Sequence, residues 1–93
     1  MTKVWIITGC STGFGRELAK QTLKLGHKVG VASRNVNDVA DIVKDYSETA
    51  VAIQLDVTKP NEIKTAVELV TAAFGRIDVL VNNAGIGYLG AIE

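Results

Sequence analysis

Val4-Trp5-Ile6-Ile7-Thr8-Gly9-Cys10-Ser11-Thr12-Gly13-Phe14-Gly15-Arg16-Glu17-Leu18-Ala19-Lys20 is the stretch that decides how this chain folds. Val4 to Ile7 is an unbroken apolar run, the pattern of a strand buried on both faces of a parallel sheet. From Gly13 to Leu25 the period becomes helical. Phe14, Leu18 and Leu25 fall on one face, and Arg16, Lys20 and Lys24 on another. Gly26 then ends the helix, where a positive φ costs a glycine little. Between strand and helix lies Thr8-Gly9-Cys10-Ser11-Thr12-Gly13-Phe14-Gly15. Its glycines allow a tight turn and a close backbone approach to a ligand. The helix that starts there offers unpaired N–H groups and the positive end of its dipole, a seat for an anion such as a dinucleotide pyrophosphate. Ser11 and Thr12 add hydroxyl donors. A glycine-rich turn can also be tight for its own sake, but this one follows a strand and opens a helix at the start of a βαβ unit, the setting of a phosphate cradle.

The same alternation continues outward. Lys28 to Ser33 reads as a second strand. Val36, Val39, Val43 and Tyr46 mark a second amphipathic helix, with Asn35 as its cap. Val51, Ile53 and Leu55 alternate in a third strand. Pro60 suits the first turn of a third helix, where its missing N–H is no loss. Ile63, Val67, Val70 and Phe74 would line the buried face of that helix, and Gly75 stops it. Ile77 to Val81 is a fourth strand, followed by Asn82-Asn83-Ala84-Gly85 and a glycine-rich tail. The expected fold class is α/β: a partial Rossmann-type doubly wound parallel sheet of four strands and three helices. It would be a single unit over residues 1–93. Right-handed crossovers give the strand order 3-2-1-4, with the ligand crevice between the first and fourth strands. Val79-Leu80-Val81 would then form an apolar sheet edge.

Composition narrows the partners. With 47% hydrophobic residues the chain can build a core, although 93 residues bury a smaller share of their surface than a larger domain does. The formal charge is zero and there is no basic block, so nothing points to nucleic acid or to an anionic membrane surface. One cysteine excludes an intrachain disulfide, and with one histidine it leaves no metal cluster to propose. The apolar start is too short for a signal peptide core, and no apolar run is long enough to span a bilayer, so a cytoplasmic setting is the default. Cys10 reads as a small loop residue, His27 as surface and Trp5 as packing beside the sheet.

The spacing T-G-x-x-x-G-x-G resembles the short-chain dehydrogenase/reductase family. So do Asp56-Val57 after the third strand, Gly75-Arg76-Ile77-Asp78-Val79-Leu80-Val81, and Asn82-Asn83-Ala84-Gly85 after the fourth. These motifs come in the family's order across the whole chain. The resemblance implies an NAD(P)-binding Rossmann domain in which Gly9, Gly13 and Gly15 shape the pyrophosphate loop. Phe14 stands where an aliphatic residue is usual and would offer its backbone N–H to the phosphates. Asp56 would accept a hydrogen bond from the adenine amino group, with the Val57 backbone beside it. An Asp after a strand also commonly caps a turn or the next helix, so both roles stay open. Asn83 would tie the fourth strand to its neighbour, Ala84 and Gly85 would give the ribose close backbone access, and Thr8 would help fix that junction. At the end of the second strand, where NAD-preferring relatives carry an acidic residue, this chain has Ser33 and then Arg34. A carboxylate would repel a 2′-phosphate, whereas Arg pairs with it and Ser can donate to it. The pair points to NADP rather than NAD, with a solvated loop charge as the alternative for Arg34.

The family's chemistry is hydride transfer between nicotinamide and a carbonyl or alcohol carbon, with a Tyr, a Lys four residues later, a Ser and an Asn as the working side chains. All four lie beyond residue 93 in family members, so no catalytic residue is assigned. Neither Tyr46 nor Tyr88 has a lysine four residues on. Two classes remain open. One is a truncated NADP(H)-dependent oxidoreductase whose longer, homo-oligomeric parent takes a small carbonyl or alcohol substrate. The other is a free-standing, non-catalytic nucleotide-binding module. The unfinished family pattern favours the first. Asn82 to Glu93 resembles branches acting on steroids, retinoids and similar carbonyls.

Overall fold

A computed structural model describes residues 2–10, 13–56 and 58–82. The elements run β1 (Val4–Ile7), α1 (Gly13–Lys24), β2 (Lys28–Ser33), a 3-10 turn (Val36–Val39), α2 (Ala40–Asp45), β3 (Ala50–Gln54), α3 (Pro60–Phe74) and β4 (Val79–Val81). All pairings are parallel and the strand order is β3-β2-β1-β4, as the alternation of strand and helix predicts.

The strands divide their side chains between two cores. Ile7, Val29, Val31 and Ala50 face one side, where Ala19 and Leu23 of α1 and Val39 and Ile42 of the second connection cover them. Val4, Ile6, Ala32 and Ile53 face the other, covered by Ala66 and Val70 of α3. Helices on both faces make the sheet doubly wound, and β1 and β2, apolar at consecutive positions, have a core on each side to receive them. Gly30 in β2 marks a close approach of α3. A Cβ there would lie 2.6 Å from Val70 Cγ2 and 2.8 Å from Ile53 Cδ1, so the absence of a side chain is what lets the helix settle onto the sheet.

Three expectations about faces change. Phe14 and Leu25 do not cover the sheet: they are 68% and 76% exposed. The buried face of α1 is Gly15, Ala19, Thr22 and Leu23, with Leu18 only partly buried against the core. On α3, Ile63 and Val67 are largely exposed while Ala66 and Val70 are buried. Small side chains win because the helices lie close to the sheet. Thr22 joins them by donating its hydroxyl to Leu18 O at 2.7 Å, which hides its polarity inside the helix. The second connection is also not one continuous α-helix from Val36: it starts as a 3-10 turn, with Asn35 Oδ1 accepting from Asn37 N, and becomes α-helical at Ala40. The apolar edge is present, since Leu80 of β4 is half exposed at the margin of the described sheet.

Candidate functional site

The carboxyl ends of β1 and β4 meet where the winding reverses, the place where open α/β sheets bind ligands. Thr8 fixes this junction as expected. Its N–H donates to Val81 O at 3.0 Å, and its hydroxyl lies 3.3 Å from Asn82 Oδ1. The chain then turns through Gly9 at φ 66° and enters α1 at Gly13, φ 63°. Both values lie in the left-handed region that disfavours side chains. Among the described residues, nothing lies within 4 Å of the position a Cβ would take at Gly13. No acidic residue occupies the first turn of α1. Among the described residues, the helix therefore begins with its N–H groups and positive dipole end uncompensated by an acid in its first turn. A pyrophosphate fits that arrangement.

Cys10 is part of the scaffold of this turn. It is fully buried, its N–H donates to Ala32 O at 3.0 Å, and its Sγ lies 3.0 Å from Ile7 O. Burial pushes its thiol up to about 12, so it stays protonated and unreactive at neutral pH.

The ends of β2 and β3 form the second part of the site. Ser33 is buried, and its hydroxyl closes a local turn: it donates to Asn35 O at 2.5 Å and accepts from Asn35 N at 3.1 Å. Its role here is to shape the turn. Arg34, by contrast, is exposed. Asp56 stands on the adjacent strand end. Its Oδ1 accepts from Thr58 N at 3.0 Å and from Thr58 Oγ1 at 2.6 Å, the capping geometry that the sequence left open. Its own N–H donates to Glu62 Oε1 at 2.8 Å. The Thr58 hydroxyl, then the Thr58 N–H, hold the Asp56 carboxyl below its usual range, helped by the charges of Lys59 and Arg34. Arg34 and Asp56 thus share one electrostatic neighbourhood. Gly15 lies buried in the first turn of α1, and the Phe14 side chain projects to solvent, leaving only its backbone for the role expected of it. Ser11, Thr12, Val57, Asn83, Ala84 and Gly85 lie outside the described residues.

Sequence reasoning missed one pair at this end. Arg16, next to Gly15, reaches across to the second connection, where Nη1 donates to Asp38 O at 3.1 Å and Nη2 to Asp41 Oδ2. The sequence shows an acidic residue at each of positions 38 and 41, but nothing in its periodicity brings them to Arg16.

With this geometry, comparison with known proteins is specific. The family described as short chain dehydrogenase matches residues 3–93, and the chain belongs to that family. An oxidoreductase of Botryotinia fuckeliana, BOA17, is 38% identical over 94 aligned residues, covering 100% of this chain and 34% of the relative. The 3-oxoacyl-(acyl-carrier-protein) reductase FabG of Staphylococcus epidermidis is 40% identical over 90 residues, 92% of this chain and 37% of the relative. Among solved structures, a short-chain dehydrogenase from Streptomyces avermitilis superposes with a TM-score of 0.85 at 44% identity, covering 90% of this chain and 31% of the other. A 3-ketoacyl-(acyl-carrier-protein) reductase from Brucella melitensis complexed with NADH does so with a TM-score of 0.85 at 38% identity, covering 92% and 36%. The chain spans about a third of the length of these relatives.

Proposed function

We propose that this chain holds NADP(H) by its pyrophosphate and adenosine ends, and that it serves an oxidoreductase interconverting a carbonyl and an alcohol. The observation that carries the proposal is the start of α1. Among the described residues, two left-handed glycines, an open approach at Gly13 and a first turn without acid lie at the reversal point of the sheet. Gly9, Ser11, Thr12, Gly13, Phe14 and Gly15 would hold the pyrophosphate, Asp56 and Val57 the adenine, and Asn83, Ala84 and Gly85 the ribose side. When bound, the cofactor would supply or accept the hydride.

The preference for NADP(H) rests on Arg34. It is exposed at the end of β2, and Ser33 beside it is neutral and faces its own turn rather than offering a carboxylate to the ribose hydroxyls. The relatives named for their substrates act on oxoacyl groups, and a structural neighbour from Escherichia coli is a hydroxysteroid dehydrogenase. A carbonyl–alcohol pair is common to both, which supports the reaction class. A cytoplasmic setting and a homo-oligomeric parent belong to the same proposal, and no helix among the described residues is long and apolar enough to cross a membrane. Titration of the full protein with NADPH and NADH tests it. Tighter binding of NADPH is expected, and equal affinity for both would refute the assignment of Arg34.

A further inference from the structure

We propose that Arg16 and Asp41 form a positioning latch that fixes the turn bearing Arg34 relative to the glycine loop, and so sets how strongly the site prefers a 2′-phosphorylated cofactor. The inference rests on the role given to Arg34 above and deepens it.

The turn after β2 is shaped by bonds among its own residues. Ser33 bonds Asn35, Asn35 accepts from Asn37, and Asp38 N donates to Asn35 O at 3.0 Å. Such bonds set the form of a turn but not where it stands against the rest of the site. Backbone bonds from Cys10 N to Ala32 O at 3.0 Å and from Leu55 N to Ser33 O at 2.8 Å place the strand end below the turn, and Arg16 adds a side-chain tie to the turn itself. It lies in the first turn of α1, immediately after the last glycine of the loop, and its guanidinium reaches 22 and 25 residues along the chain to Asp38 O and the Asp41 carboxylate. Its side chain is 26% exposed and that of Asp41 is 64% exposed. The hydrogen bond from Arg16 holds the Asp41 carboxyl below its usual range. A guanidinium suits the task because its rigid fork engages a carbonyl and a carboxylate at once, which the single ammonium of lysine does less well. The pyrophosphate and the 2′-phosphate of one cofactor would sit on the two pieces joined by this fork. Their separation is therefore part of what the site recognises, and only the phosphorylated cofactor uses both pieces fully.

The test is a pair of titrations, NADPH and NADH, on the full protein and on Arg16→Met, Asp41→Asn, Arg16→Lys and the exchanged pair Arg16→Asp with Asp41→Arg. Thermal unfolding would be followed in parallel to confirm that each variant is folded. Both single charge removals are expected to lower the NADPH-to-NADH affinity ratio by about two- to fivefold, the scale of a partly exposed ion pair. Arg16→Lys should fall between wild type and Arg16→Met, and the exchanged pair should recover part of the ratio. A simple field effect predicts something else: removing Arg16 would disfavour the phosphate, but removing Asp41 would favour it. Opposite shifts would overturn the latch, as would equal weakening of both cofactors, the mark of a purely structural pair. Arg34→Ala, run alongside, separates the two claims. If it lowers the ratio while Asp41→Asn does not, the latch alone fails. If Asp41→Asn lowers the ratio and Arg34→Ala does not, Arg34 loses its role and the latch, which acts through it, is overturned as well. If neither moves it, both are overturned.

Discussion

The two ends of the sheet hold themselves together by different means. At the amino-terminal ends of β1 and β4, distant parts of the chain lock backbone groups directly. Asp78 Oδ2 accepts from Val4 N at 2.8 Å, Arg76 donates to Thr2 O at 3.0 Å, and Lys3 N donates to His27 Nδ1 at 3.0 Å. At the carboxyl ends of β2 and β3, side chains bond to residues close in sequence, as Ser33 does to Asn35, Asp56 to Thr58 and Glu62 to the Asp56 N–H. One end spends its polar groups on closing the fold. The other shapes its loops mostly from within, with Arg16 bridging to Asp38 and Asp41 between them, and leaves Arg34 and the start of α1 facing outward. Stability and recognition should therefore respond to different substitutions.

The largest expected effect concerns chemistry. Residues 1–93 contain no Tyr-x-x-x-Lys, and nothing in the described site offers a proton donor paired with a lysine. The 93-residue chain should bind cofactor and turn nothing over. Assay against a panel of carbonyls and alcohols should give the uncatalysed rate, and turnover that survives removal of contaminants would show that the carboxyl end holds a proton donor of its own.

Next in size is Gly13→Asp. A carboxylate at the mouth of α1 meets the incoming phosphates, and like charges brought together cost several kcal/mol. NADPH and NADH should therefore both weaken by about a hundredfold. The fold should suffer little. Strain from the left-handed φ, about 1–2 kcal/mol, is partly offset by an acid at a helix start, about 0.3–1 kcal/mol. Binding that collapses while the unfolding midpoint shifts by only a few degrees would sharpen the contrast between the ends. A matched loss of both would erase it.

Smaller, and selective, is Arg34→Ala. A charge-assisted hydrogen bond contributes about 1.5–3 kcal/mol, so NADPH should weaken by about one to two decades while NADH stays nearly unchanged. Ser33→Asp should go further in ratio by adding repulsion of the phosphate and an acceptor for ribose hydroxyls. It also removes the hydroxyl that closes the turn onto Asn35, so some loss of stability is expected with it. Parallel titrations with both cofactors read these effects. Equal weakening by Arg34→Ala would make that residue an ordinary surface charge.

The legible parts of this molecule are those where one residue type answers one backbone demand. The run Val4 to Ile7, the glycines at positions 9 and 13, Pro60 at the start of α3 and Gly75 at its end each declare a local geometry, and with right-handed crossovers they yield the strand order. What stayed hidden depends on distances between elements. Phe14 and Leu25 looked like core because helical periodicity puts them on one face with Leu18, but the buried face of α1 is Gly15, Ala19, Thr22 and Leu23, and Leu25 lies just past the end of the helix. The Arg16–Asp41 pair joins residues 25 positions apart on different elements, which periodicity does not encode. At the site, Arg34 could be placed from sequence, but the inward turn of the Ser33 hydroxyl could not, because it answers to the Asn35 backbone rather than to a ligand.

The smallest expected effect tests the amino-terminal end, and it is read through pH. Asp78 accepts from Val4 N and from Arg76 Nε, and these bonds, the backbone one first, hold its carboxyl below the ordinary value. A carboxyl whose pKa is depressed by folding stabilises the native state above its unfolded pKa, about 3.9. That stabilisation is lost as pH falls through the lower folded value. Asp78→Asn keeps the shape and can still accept from Val4 N, but it lacks the charge that Arg76 faces. The variant should therefore unfold slightly more easily than wild type at neutral pH, and the gap should narrow as pH drops below about 4. Cofactor affinity should not move, because the clamp lies at the opposite end of the strands from Arg34 and Gly13. Urea unfolding across an acid series, with NADPH titration at neutral pH, measures both. A gap that stays constant with pH would mean that the Asp78 charge contributes nothing, and a change in NADPH affinity would mean that the two ends are coupled through β1 and β4.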